Sequence, residues 1–169
     1  MAEIIFIGGI HGSGKGTTCK NICAEKGYIH LTASELLKWD EISDKTNKLV
    51  ENIGNMQERL LSGLFKAIEK DKLFLLDGHF CLFNGIGEIS KVPETTFESI
   101  APKLIAVINE DVHLIKERLE KRDNKPYDFY TLKKMQDTEI AYSKEIAEKL
   151  GVKHFEINNN NYNNLLENM

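Results

Sequence analysis

A chain of 169 residues, 41% of them hydrophobic, can bury a sizeable core in one domain and is too short for two ordinary ones. The formal net charge of −4 excludes a broad basic surface for extended nucleic acid, so phosphate chemistry must rest on local lysines and arginines and the expected partner is small. Three cysteines without paired spacing suit a reducing cytoplasm, the acidic start shows no secretory signal, and no apolar run approaches the roughly 20 residues of a membrane helix. The histidines at 11, 30, 79, 113 and 154 are scattered and predict no metal site built by protein alone.

Ile4-Ile5-Phe6-Ile7 reads as a buried strand, and Gly8 and Gly9 then release the backbone into a turn. Gly9-Ile10-His11-Gly12-Ser13-Gly14-Lys15-Gly16-Thr17-Thr18 has the phosphate-loop spacing, a glycine, four residues, then Gly-Lys at the start of a helix. Loop amides, the Lys15 ammonium and the helix N-terminus all favour a polyphosphate, so Gly9, Gly12, Ser13, Gly14, Lys15, Gly16, Thr17 and Thr18 are the expected nucleotide contacts. Gly16 stands where the usual hydroxyl ligand to Mg²⁺ would be. Gly-Lys-Gly-Thr resembles the loop of adenylate kinases and related nucleoside monophosphate kinases. His11 occupies a place where many of those kinases carry proline and is read as a loop residue.

A helix is predicted over Lys15 to Glu25, with Cys19, Ile22 and Cys23 on its packed face, ending at Gly27. Tyr28-Ile29-His30-Leu31 is the second strand. The segment His30-Leu31-Thr32-Ala33-Ser34-Glu35-Leu36-Leu37-Lys38 resembles His-Ile-Ser-Thr-Gly-Asp-Met-Leu-Arg at the monophosphate site of adenylate kinases. The resemblance implies that Lys38 grips the acceptor phosphate, with the charge of an arginine but without its bidentate fork. The alternative is a solvated lysine on an amphipathic helix. From Asp44 to Lys70 one long helix, or two, is expected, with Met56, Leu60, Leu64 and Ile68 at helical spacing. Gln57 and Arg59 lie on its polar side, toward either the acceptor or solvent, and residues 33–70 form the expected acceptor-binding insert.

Leu73-Phe74-Leu75-Leu76-Asp77 is apolar enough for a central parallel strand, and Asp77 ends it at the ligand crevice, where it can order Mg²⁺ through water. Asp77-Gly78 matches the Asp-Gly after the third strand of adenylate kinases, and Asp-x-His is closer to archaeal-type and ribosome-assembly-linked members, which use ATP with Mg²⁺. His79 either polarises a phosphate oxygen or makes a structural hydrogen bond. Cys81 stands where the bacterial and eukaryotic pattern has an arginine for the acceptor phosphate, which departs from AMP as acceptor.

Pro93 opens a short helix over Glu94 to Ser99, Lys103 to Ile108 is the fourth strand, and Asp111 caps a helix with Val112, Ile115 and Leu119 inward. Arg118-Leu119-Glu120-Lys121-Arg122 resembles the entry to the adenylate kinase lid, which implies that Arg118 stacks over the donor adenine and Arg122 reaches its phosphates. A solvated face is the alternative, since Glu117, Glu120 and Asp123 interleave. The lid, about residues 122–128, is short. Tyr130 to Leu150 is a long helix with Leu132, Met135, Tyr142, Ile146 and Leu150 on one stripe, and Glu139 within that stripe is expected to be partly exposed. Gly151 ends it, His154 to Ile157 is the fifth strand, the asparagine-rich run Asn158 to Asn164 has no evident reason to order, and Leu165 and Leu166 begin a last short helix.

The predicted architecture is a three-layer α/β domain over residues 1–169 with a five-stranded parallel sheet, by resemblance in the order 2-3-1-4-5. The predicted activity is transfer of the γ-phosphoryl group of ATP, with Mg²⁺, to a small acceptor, a nucleoside monophosphate first. Lys15, Asp77, Arg118 and Arg122 form the catalytic set and Lys38, Arg59 and His79 the acceptor contacts. The alternatives are a kinase for another small metabolite and an ATP-binding, slowly hydrolysing module that acts through a protein partner.

Overall fold

A computed structural model describes residues 2–43 and 53–169. Its centre is β1 (Glu3–Gly8), paired in parallel with β3 (Leu73–Gly78) on one side and β6 (Leu104–Asn109) on the other. Beyond them lie β2 (Ile29–Thr32) and β7 (Lys153–Asn158), also parallel, giving the order β2-β3-β1-β6-β7. Counted within the main sheet, this is the expected 2-3-1-4-5. The register sets Ile7 beside Asp77, Gly8 beside Gly78 and Thr32 beside Asp77, so the first loop leaves the sheet next to the end of β3.

The unbroken apolar run of β1 is explained by burial on both sides. Alternate residues point to opposite faces: Ile4 and Phe6 join one core, Ile5 and Ile7 the other. The Ile5/Ile7 side is covered by α1 (Lys15–Lys26) and α7 (Asn163–Leu166), through Cys19, Ile22, Leu165 and Leu166. The Phe6 side is covered by α2 (Ala33–Ser43), α3 (Ile53–Ala67), α4 (Glu94–Ile100), α5 (Val112–Asp123) and α6 (Phe129–Leu150). Leu64, Phe97, Ile115 and Ile146 are sealed there, each burial contributing about 1.5–3 kcal/mol before entropy is counted. Phe6 meets Phe80 edge-on with ring centroids 5.0 Å apart, and Phe80 stacks on Phe97 at 5.0 Å. No helix among the described residues is long and apolar enough to cross a membrane.

Helix punctuation follows the residues. Gly27 and Gly151 take left-handed backbone at the ends of α1 and α6, and the Asp111 carboxylate accepts the His113 amide at 2.7 Å. The second strand sits one residue later than expected, because Tyr28 lies outside the ladder and packs in the core. The expected helix over Asp44 to Lys70 is seen as α3 in its latter part, while residues 44–52 lie outside the described residues.

One element was not anticipated and two expectations are corrected. The stretch after His79 forms an antiparallel hairpin, β4 (Cys81–Phe83) with β5 (Ile89–Lys91), that periodicity over three-residue strands could not reveal. The asparagine run is ordered: Asn159 and Asn160 take positive φ, Asn158 pairs with Asn161, and the Thr18 hydroxyl donates to Asn160 Oδ1 at 2.9 Å. Asparagine tolerates that backbone because its short amide bonds locally, so a run that looks like low complexity is a tight turn. Glu139, expected to be partly exposed, is fully buried and accepts three main-chain amides.

Candidate active site

The loop between β1 and α1 takes its shape from two glycines. Gly12 and Gly14 both have φ of 81°, and a Cβ on Gly12 would lie 2.9 Å from Leu119 Cγ. Gly14 is the N-cap of α1 and supplies no side-chain acceptor, so the first amides of that helix have no side-chain cap. Ser13 is 3% exposed, and its hydroxyl is the one buried side-chain polar atom among the described residues without a hydrogen-bond partner. An orphaned hydroxyl beside uncapped amides at a helix N-terminus fits an anion in both geometry and charge.

Lys15 reaches across this loop to the end of β3, where its ammonium donates to the Asp77 carboxylate and to Gly78 O at 2.8 Å. His30 Nε2 lies 3.3 Å from the other Asp77 oxygen. The loop lysine and the strand-end carboxylate are therefore brought together. The Cys19 thiol also lies within 4.8 Å of the His30 and Asp77 ligand atoms. Burial pushes that thiol's pKa up and Asp77 is engaged by Lys15, so the trio is a packed contact rather than a ligand set.

His79 faces His11 across the loop with ring centroids 4.5 Å apart. Desolvation lowers both pKa values from the ordinary histidine range, and the neighbouring Lys15 charge lowers them further. Both rings line a cavity of about 460 Å³ with Gly12, Lys15, Thr17, Asp77 and the β2–α2 junction, Thr32 to Ser34. Its far wall is apolar, from Phe6, Leu82, Val92, Phe97 and Ile100, and Gln57, 7% exposed, also borders it. A second cavity of about 370 Å³ shares His11 and His79 and is bordered by Arg122, Lys125 and Tyr127.

Arg118 donates to Gly12 O and to Glu110, each at 3.1 Å, which places it on the loop. Arg122 is 58% exposed and forms a two-point pair with Asp123 at 2.6 and 2.8 Å, and the Tyr127 hydroxyl donates to the same carboxylate. Thr17 is exposed at the loop, while the Thr18 hydroxyl faces Asn160. Two acceptor expectations are not brought to the cavity. Lys38 is exposed, and Arg59 donates to Leu37 O at 3.2 Å, while its neighbour Gln57 takes the cavity position.

Sequence reasoning missed Glu139, whose carboxylate joins the loop entrance to the chain after His79. The signal was present: an acid at the helical spacing of Leu132, Met135, Tyr142 and Ile146 must be buried and must find donors.

The AAA domain family model matches residues 8–136. Adenylate kinase isoenzyme 1 of Rattus norvegicus is 28% identical over 72% of this chain and 64% of its own length. Adenylate kinase isoenzyme 5 of Mus musculus is 33% identical over 46% of this chain, a match that spans only 16% of that relative. Among solved structures, a shikimate kinase from Acinetobacter baumannii in complex with shikimate superposes with a TM-score of 0.59 at 14% identity, over 99% of this chain and 90% of that one. A gluconokinase from Sinorhizobium meliloti 1021 does so with a TM-score of 0.54 at 13% identity, over 92% and 82%. The two structures share the fold.

Proposed function

The chain belongs to the AAA domain family, and from that premise we propose that it is an ATP-dependent phosphotransferase, passing the γ-phosphoryl group to a small acceptor in the cavity beside the loop. The observation that carries this reading is the placement of Lys15, poised between the Asp77 carboxylate and a loop whose Ser13 hydroxyl has no protein partner and whose helix N-terminus has no side-chain cap. A phosphate chain entering the loop takes the ammonium from Asp77, and Asp77 is then free to hold hydrated Mg²⁺, with no hydroxyl from position 16. Bound Mg²⁺ supplies charge neutralisation on the phosphate oxygens. Arg118, anchored on Gly12 O, lies against the donor side. Arg122 exchanges Asp123 for the transferring group as the segment from Asn124 to Asp128 closes, excluding water. No covalent nucleophile is needed, because positioning and neutralisation supply most of the rate.

For the acceptor, a nucleoside monophosphate is supported by the resemblance of His30 to Lys38 to the adenylate kinase segment and by the similarity to isoenzyme 1. A second reading, a small hydroxyl compound, is favoured by Lys38 and Arg59 standing away from the cavity and by its apolar far wall. The test is ADP release from ATP and Mg²⁺ with monophosphates, shikimate and gluconate as acceptors, and Lys15→Ala as control. Acceptor-stimulated release that Lys15→Ala abolishes supports the kinase. Slow release indifferent to every acceptor favours a nucleotide-hydrolysing module that works through a protein partner.

A further inference from the structure

The helix α6 starts at the short lid and runs back under the site, and one face of it grips both segments on which the nucleotide reading depends. Glu139 Oε1 accepts the Gly9 amide at 3.0 Å and the Phe80 amide at 2.9 Å, and Oε2 accepts the Cys81 amide at 2.7 Å. Three residues on, the Tyr142 hydroxyl donates to Val92 O at 2.8 Å, and three further on Glu145 pairs with Lys91 at 3.1 Å. Lys91 is the partner of Cys81 in the hairpin. A single stripe of α6 thus holds the entrance of the phosphate loop, the first residue of β4 and the end of β5.

A fully buried carboxylate is tolerated when main-chain donors satisfy it, and three are supplied here. They come from two different places in the chain. Gly9 is the first residue of the phosphate loop, and Phe80 and Cys81 directly follow Asp77-Gly78-His79. No backbone pairing joins Gly9 to Phe80, since the β1–β3 ladder ends at Gly8 and Gly78. Beyond that point the carboxylate bridges the two segments through their main-chain amides, beside the side-chain links Lys15–Asp77 and His11–His79 and the bond of His79 to the Gly9 backbone. We propose that Glu139 is a positioning residue that clamps the phosphate-loop entrance to the Asp77–His79 segment, so that both face one nucleotide in fixed register. The consequence for nucleotide affinity rests on the kinase reading, and the clamp itself does not.

The discriminating variant is Glu139→Gln. A carboxamide oxygen can keep the Gly9 and Phe80 bonds, but its NH₂ then meets the Cys81 N–H, donor against donor. Tyr142→Phe is the comparison, because it removes a neighbouring hydrogen bond of the same helix without touching the clamp. Amide hydrogen exchange on ligand-free protein and calorimetric titration with Mg-ATP are the two readouts. In Glu139→Gln, exchange at Phe80 and Cys81 is expected to quicken and Mg-ATP binding to weaken, each by about tenfold or more. Tyr142→Phe is expected to lower the melting temperature while leaving both readouts within about twofold. Glu139→Asp, still anionic but shorter, recovers part of the affinity and carries the test if the amide does not fold. Unchanged exchange at Phe80 and Cys81 in Glu139→Gln overturns the proposal, as does an equal loss of affinity in Tyr142→Phe. If the wild-type protein binds no Mg-ATP, the kinase reading fails, and the exchange result alone decides the clamp.

Discussion

Replacing Gly12 by alanine tests whether the loop has the shape described, and the cost follows from the structure. Its φ of 81° charges an L-residue about 1–2 kcal/mol for left-handed backbone. The added Cβ would also lie 2.9 Å from Leu119 Cγ and 3.2 Å from Ile115 O, and forcing a group into such packing costs about 1–3 kcal/mol. Neither neighbour is a free side-chain end, since one is a branched carbon in the core and the other is helix backbone. The sum, about 2–5 kcal/mol, corresponds to a melting temperature lower by about 4–20 °C for a chain of this size. Gly16→Ala is the internal control: a Cβ there meets nothing within 4 Å, and the position lies in the first turn of α1, where alanine gains up to about 1 kcal/mol. Equilibrium urea unfolding of both variants measures the difference. A Gly12→Ala protein as stable as wild type, or a Gly16→Ala protein destabilised as much as Gly12→Ala, would refute the loop geometry.

Two other outcomes follow. Asn160→Ala removes the acceptor of the Thr18 hydroxyl and a residue suited to φ of 58°, and should cost about 1–2 kcal/mol in urea unfolding; no loss would contradict an ordered turn after β7. The pKa of His79 is lowered in the fold by burial and by Lys15, so its contribution to stability is present above the ordinary pKa near 6.5 and is lost as pH falls below it. Glu139, pushed up to about 7 by burial, acts with the opposite sign between its ordinary value and about 7, so the quantity to follow is the difference between wild type and His79→Asn. That difference should shift in favour of wild type as pH rises from about 5 to about 7, and a flat difference would mean that the histidine pair is solvated.

Much of this was legible in the sequence because the informative features are local. Four apolar residues, glycines at fixed offsets and a lysine specify strand, loop and helix without tertiary information, and Asp111 and Gly151 mark helix ends by their own chemistry. The placement of Asp77 beside the loop followed from sheet order. What escaped depends on partners distant in the chain. Glu139 is satisfied by amides 58, 59 and 130 residues away, so its place on the apolar stripe marks it for burial but nothing near it names the donors. The hairpin strands are too short for a period, and the asparagine turn is closed in part by Thr18, 142 residues earlier. Lys38 was placed by analogy with a segment in which arginine does the work, and Arg59 by its position on the polar side of a helix expected to cover the acceptor. Here the helix pair α2 and α3 uses Arg59 to hold its own backbone.

The central claim is that the loop amides and Lys15 hold the phosphates of a nucleotide. Isothermal titration of the folded protein with Mg-ATP, set beside Lys15→Ala shown to be folded by circular dichroism, tests it most directly. The account predicts saturable one-to-one binding by wild type that weakens by at least about tenfold in the variant. Equal affinity in the two proteins, or no heat of binding in a folded wild type, would contradict it.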